Sequence, residues 1–174
     1  PITFAGDFEI EIDFSTTNSA ANTMLVGAST STANYISVHT SNYVRASING
    51  VQITGTTTLA NTGTLNKVLV KRVGAVIELF VNGVSQGTAS NSAASSFDLI
   101  GAYSTGLLFF KGIISDVKLT DITTPANSLS FGLDELTQDY EYPTENVFGS
   151  QIWVDTGSYG SASGTATSDS LTLT

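Results

Sequence analysis

The sequence contains no cysteine, one histidine and one tryptophan, and only 12% of its 174 residues are charged. Without cysteine there is neither a disulfide framework nor a thiolate metal site. A chain of this length needs no such staple, because one domain of this size buries roughly 70% of the surface that its unfolded form exposes. A single histidine, His39, excludes a multi-histidine metal centre. It also leaves a Ser-His-Asp triad to chance, since no serine stands in a G-x-S-x-G turn. Basic residues are scarce as well: six against 15 acids give a net charge of -9. That balance repels phosphate backbones and anionic bilayers, so neither nucleic acid nor a membrane surface is expected as a partner. No apolar run approaches the roughly 20 residues of a membrane-spanning helix. The opening PITFAGDFEIEIDF lacks the basic start and apolar core of a signal peptide. Pro1 stands where a methionine would, which predicts a processed or excised piece of a longer polypeptide.

What is present is the vocabulary of strands and turns. Between Val68 and Val84 the order VLVKRVGAVIELFVNGV alternates Ile77, Leu79 and Val81 with Val76, Glu78 and Phe80, and Val68 shares a side with Val70. Period 2 marks strands, and Asn82-Gly83 supplies the two positive-φ residues of a type I′ turn, so the stretch predicts a three-stranded meander about Gly74. Asp7 to Phe14 alternates without interruption, with Phe8, Ile10, Ile12 and Phe14 turned to a core and Asp7, Glu9, Glu11 and Asp13 to water.

A polar loop from Ser15 to Asn22, a short apolar strand at Met24–Ala28 and a Ser/Thr-rich loop follow. Tyr35 to Ile53 then resolves into a second meander by keeping like faces together. A three-residue connection, Thr40 to Asn42, sets Val38 opposite Val44 and Ile36 opposite Ala46. An Asn49-Gly50 turn sets Ile48 opposite Val51 and Ala46 opposite Ile53. The other face gathers Tyr35, Ser37, His39, Tyr43, Arg45, Ser47 and Gln52, with His39 across from Tyr43.

After a polar connection at Thr54–Asn66 and the organising meander, Phe97–Tyr103 reads as a strand. Leu107–Thr120 reads as a longer one with Ile113, Val117 and Leu119 on one face and Ile114, Asp116, Lys118 and Thr120 on the other. All six basic residues precede Asp121, whereas eight of the acids lie at or beyond it. The expected organisation is therefore a core over residues 1–121, an acidic arm over 122–156 packing on or completing it, and a Gly/Ser/Thr-rich tail over 157–174. Within the arm, Leu129–Asn146 is expected as one helical turn or an irregular segment, and Trp153 as a packing anchor.

Several segments resemble the laminin-G-like branch of the concanavalin A-like lectin and glucanase superfamily. They are the opening GDFEIEIDF, the valine-x-valine-basic strand followed by a glycine turn and FVNG (Phe80–Gly83), FDLIGA (Phe97–Ala102) and FFKGIISDVKLTD (Phe109–Asp121). The likeness spans about residues 4 to 121. It implies an all-β jelly-roll sandwich of two antiparallel sheets, which strand number and spacing favour independently. Domains of this kind with a Ser-, Thr- and Gly-rich surface and an acidic tail resemble those of phage tail and virion proteins.

The resemblance also frames the chemistry. Retaining glucanases carry alternating carboxylates on one strand, and Glu9, Glu11 and Asp13 are similar to that arrangement. Retaining hydrolysis needs two carboxyl groups about 5 to 5.5 Å apart, and alternate residues on a strand lie about 6.6 Å apart. The acids here stand in a different order and on the first strand, so the expectation is a solvated acidic face that discourages edge pairing. The resemblance also implies that calcium can be held by Asp, Asn and backbone carbonyls at loop ends, with Asp98, Asp116 and the Asp134, Glu135, Asp139 cluster as candidate oxygen ligands; no cofactor is required.

Rings that stack on the apolar faces of sugars, beside donors and acceptors for hydroxyls, make Tyr35, His39, Tyr43 and Arg45 the candidate ligand residues. Tyr103, between Gly101 and Gly106, joins them as a ring displayed at the rim. The expected function is a non-catalytic recognition module for cell-surface glycan, in an extracellular or virion setting. The rivals are a decoration domain that contacts only other virion proteins and a glycoside hydrolase. Self-assembly into a homo-oligomer is compatible with the first two.

Overall fold

The computed structural model describes residues 1–16, 22–60, 63–103 and 108–132. Strand β1 (Ile2–Phe4) leads into β2 (Phe8–Thr16), whose nine residues alternate buried and half-buried without a break. Then come β3 (Thr23–Ala28), β4 (Ser31–Val38), β5 (Val44–Ile48) and β6 (Val51–Thr54), followed by β7 (Asn66–Val73), β8 (Val76–Val81) and β9 (Val84–Ser90). The remaining strands are β10 (Ser95–Phe97), β11 (Leu99–Ile100), β12 (Gly112–Asp121) and β13 (Leu129–Gly132). Among the described residues there is no α-helix, and so none long and apolar enough to cross a membrane.

Two principal sheets form, in the orders β13-β12-β2-β7-β8-β9 and β11-β3-β4-β5-β6, and β1 pairs with β10 alone. All pairings are antiparallel. The chain changes sheet between β2 and β3 and returns between β6 and β7, so the apolar faces meet across one core. From the six-stranded sheet come Phe8, Ile10, Ile12, Phe14, Val68, Val70, Ile77, Leu79, Val81, Val117 and Leu119, all buried. From the five-stranded sheet come Val26, Ile36, Val38, Val44, Ala46, Ile48 and Ile53. Each large side chain moved from water into this layer contributes roughly 1.5–3 kcal/mol. The meander registers follow from the two Asn-Gly turns: Asn49 and Gly50, and Asn82 and Gly83, all have positive φ. They bring Val51 to Ile48 and Val84 to Val81, and the β4–β5 connection brings Val44 to Val38, as expected.

Four expectations need correction. The Ser/Thr-rich stretch after Ala28 is a two-residue turn, and β4 already begins at Ser31. The strand expected at Phe97–Tyr103 breaks at Asp98, because β10 belongs with β1 while β11 joins β3. The long strand begins at Gly112, and its faces reverse partway. A register shift against β2 between Ile114 and Asp116 leaves Ser115 as the extra residue of a bulge. Ile114 therefore pairs with Phe14, while Ile113, expected inside, is 69% exposed. Finally, Leu129–Gly132 is neither helical nor irregular but the edge strand β13, paired with β12. The rest of the arm, Trp153 and the tail lie outside the described residues.

One cation is turned into the interior. Arg72 continues the inward face of Val68 and Val70 and is fully buried. Its Nε donates to the Gly6 carbonyl at 2.8 Å and Nη1 to Ala93 at 2.6 Å, while Nη2 donates to Phe4 at 3.3 Å and also to Gly6. Its guanidinium lies 4.8 Å from the Phe8 ring centre. Burial holds its pKa below the ordinary arginine value, against the opposing charges of Asp7 and Asp121. Arg72 thus ties the first strand and the β9–β10 loop to the sheet.

Candidate functional site

The outer face of the five-stranded sheet follows from the same register that builds the core. Across β4, β5 and β6, Tyr35, Ser47 and Gln52 form one row, and Ser37, Arg45 and Thr54 the next. Large and small residues alternate, so a long side chain can lie across a serine. Gln52 Nε2 donates to the Tyr35 hydroxyl at 3.0 Å, over the intervening Ser47. Tyr35, Ser37 and Ser47 are buried as a floor, whereas His39, Tyr43, Arg45 and Tyr103 are half-buried and Gln52 is exposed.

At one end the β4–β5 connection closes on His39 and Tyr43. Backbone bonds from His39 N to Tyr43 O and from Asn42 N to His39 O, both 2.8 Å, hold it. The two rings stack at 4.6 Å with 12° between their planes. The Ser41 amide points at His39 Nδ1, 3.4 Å away, and an amide can only donate. The Thr40 hydroxyl lies 3.2 Å from the same nitrogen; with Nδ1 accepting from both, the hydrogen of the neutral ring is assigned to Nε2. Partial burial, with the charge of Arg45 second, pushes the His39 pKa below 6.5, so the ring is neutral at neutral pH.

At the other end Tyr103 stands edge-on to Tyr35, with ring centres 5.9 Å apart, and its hydroxyl donates to the Thr32 carbonyl at 3.1 Å. Gly27 makes this possible: a Cβ there would stand 2.8 Å from the Ala102 carbonyl oxygen and 3.7 Å from Tyr103 Cα. The five expected residues thus share one face in two groups, Tyr35 with Tyr103 and His39 with Tyr43 and Arg45. Strand spacing sets Tyr35 about 13 Å from His39 along the chain. Gln52 belongs with the first group, a role readable from its place opposite Ser47. The close approach at Gly27 has no sequence signal beyond a glycine inside a strand.

Arg45 is the charged residue of this face. No carboxylate occurs between Asp13 and Glu78, so strands β3 to β6 carry none. Among the described residues Arg45 makes no ion pair and its guanidinium donates no hydrogen bond; its Nε is buried without an acceptor.

The outer face of the six-stranded sheet is the reverse. Lys67 lies 3.0 Å from Glu11 and 3.9 Å from Asp13, Lys71 lies 3.1 Å from Glu9, and Lys118 lies 3.9 Å from Glu11. The hydrogen bond to Glu11 raises the Lys67 pKa, as do the nearby acids. The alternating carboxylates considered for hydrolysis are thus laced to lysines on both neighbouring strands.

Two of the acids expected as calcium ligands have other contacts here. Asp98 Oδ1 accepts the Ser29 amide at 2.5 Å and Oδ2 accepts the Ser29 hydroxyl, so this carboxylate closes the β3–β4 turn. Asp116 acts on Lys67. A hard dication takes six to eight oxygens, and no three of the described His, Asp or Glu side chains converge. Asp134, Glu135 and Asp139 lie outside the described residues.

No protein-family model matches the chain, and no curated protein matches it in sequence. Solved structures do. A protein of Bacteroides ovatus named for carbohydrate binding matches with a TM-score of 0.58 at 13% identity, over 87% of this chain and 48% of that one. The CBM40 module of a Ruminococcus gnavus IT-sialidase, bound to α2,3-sialyllactose, gives 0.51 at 15% identity over 67% of this chain and 76% of the module. Domains LG4-5 of the mouse laminin α1 chain give 0.51 at 18% identity over 86% and 42%. The chain thus spans about half the length of the Bacteroides protein and less of the laminin pair. At these identities the likeness is one of fold: the chain is an all-β jelly-roll sandwich of antiparallel sheets.

Proposed function

We propose that this chain is a non-catalytic carbohydrate-recognition module whose sugar lies on the outer face of the five-stranded sheet. The observation that carries the reading is the gathering of Tyr35, His39, Tyr43, Arg45 and Tyr103 on that face over a floor of small polar residues. Stacking of the His39 and Tyr43 rings uses one face of each, and their remaining surfaces suit the apolar faces of pyranose rings. His39 Nε2, Gln52 and Arg45 supply donors for ring oxygens and hydroxyls. The spacing from Tyr35 to His39 suits a short oligosaccharide better than a single ring. Solved structures of this fold named for carbohydrate binding support the reading. Hydrolysis would need a pair of carboxyl groups about the scissile bond, and among the described residues this face offers none. Recognition here runs without a resident cation. An extracellular or virion-surface setting belongs to the same proposal, supported by composition alone.

The test is a glycan array probed with the purified chain, with and without chelator. The expected result is a saturable hit indifferent to chelator, weakened about tenfold by Tyr43→Ala or His39→Ala and unchanged by Glu9→Gln with Glu11→Gln. Such a loss equals about 1.4 kcal/mol, within the reach of one aromatic contact. A blank array, or release of reducing sugar that Glu11→Gln abolishes, would refute the proposal. The blank result would favour decoration of other virion proteins.

A further inference from the structure

We infer that the saccharide taken by this face is acidic, with one of its carboxylates paired to the Arg45 guanidinium; the inference rests on the carbohydrate reading above. The chain carries a net charge of -9, and its cations are almost all engaged. Lys67, Lys71 and Lys118 meet Glu9, Glu11 and Asp13. Arg72 is spent on the carbonyls of Phe4, Gly6 and Ala93. Arg45 differs from these: among the described residues it has neither carboxylate nor hydrogen-bond acceptor, and its Nε is buried without a partner.

Strands β3 to β6 cannot supply one. The stretch from Phe14 to Ile77 contains no acid, so no residue of β3 to β6 can neutralise the guanidinium. An N–H held out of water without an acceptor costs free energy that an incoming oxygen recovers. A guanidinium also presents a planar fork that matches a carboxylate with two parallel bonds, which a lysine cannot reproduce. His39 beside it is neutral, partly through the charge of Arg45 itself. The His39–Arg45 pair thus holds one positive charge with a neutral Nε2–H donor. Tyr43, stacked on His39, is placed for the uncharged part of the same sugar. The placement therefore fits one carboxylate on an otherwise neutral saccharide, rather than a polyanion, which the overall charge repels.

Titration calorimetry with two matched pairs, each acid carrying a single carboxylate, tests this: 3′-sialyllactose against lactose, and 4-O-methylglucuronosyl-xylotriose against xylotriose. In at least one pair the acid should bind at least tenfold more tightly than its neutral counterpart. Arg45→Gln should bring the acid down to the level of the neutral sugar, and Arg45→Lys should restore part of the difference. An unchanged unfolding midpoint in both variants would exclude a folding defect. Equal affinity for acid and neutral members overturns the inference while leaving the carbohydrate reading intact. So does an Arg45→Gln loss that falls equally on both members, or an array whose hits are all neutral. Absence of any bound saccharide, acidic or neutral, overturns both.

Discussion

The two outer faces of this sandwich treat charge in opposite ways. On the six-stranded sheet, β2 sets three acids between lysines of β7 and β12, and each of Lys67, Lys71 and Lys118 has a carboxylate within 4 Å. On the five-stranded sheet a lone arginine sits among aromatic and small polar side chains with no acid in any strand. Pairing on the first face follows from register, because the carboxylates of β2 fall directly opposite the lysines. The lysines of that face are thus taken up by its own acids. On the second face, among the described residues, the Arg45 Nε is buried without an acceptor.

The contrast extends to a third cation. Arg72, turned inward, has what Arg45 lacks, a full set of acceptors. Arg72→Ala should be the most damaging single change, costing about 3–5 kcal/mol by denaturant unfolding, since it leaves buried carbonyls of Phe4, Gly6 and Ala93 unmet. A loss below 1 kcal/mol would mean that the first strand is held by apolar packing alone. Glu11→Gln tests the laced face: the Glu11 side chain is 27% exposed, so its lysine contacts are worth roughly 0–1 kcal/mol, and less in high salt. A cost of several kcal/mol would make that face a structural network rather than a solvated one.

The smallest effect concerns pH. His39 has its pKa lowered in the folded state, so the fold favours the neutral ring. Its contribution is complete above the unfolded value of 6.5 and is lost as the pH falls from there toward the folded pKa. A pH series of unfolding midpoints should show a slight decline below 6.5 that His39→Gln removes. A decline that survives the substitution would assign the pH response to other groups.

Much of the fold was legible because strand alternation and Asn-Gly turns are local signals. Val38 against Val44 and Val81 against Val84 needed only the turn type and like faces. Ile113 and Ile114 were not legible, because the bulge at Ser115 is set by pairing with Asp13, about 100 residues away in sequence. β13 was hidden for a related reason: LSFG has no pattern of its own and becomes a strand by adding to the edge of β12. For the candidate site, the register placed Tyr35, His39, Tyr43 and Arg45 on one face. The Tyr35–Tyr103 contact depends on a loop passing over Gly27, which no spacing announces. The inward turn of Arg72 was readable from Val68 and Val70, four and two residues earlier on the same face.

The central claim is that recognition belongs to the five-stranded face. Amide chemical-shift mapping of the isotopically labelled chain, titrated with the tightest glycan of the array, tests it most directly. The account predicts that the perturbed amides cluster on Tyr35 to Arg45, Gln52 and Tyr103. Perturbations centred instead on Glu9 to Asp13 and Lys67 to Lys71 would contradict it and move the site to the laced face.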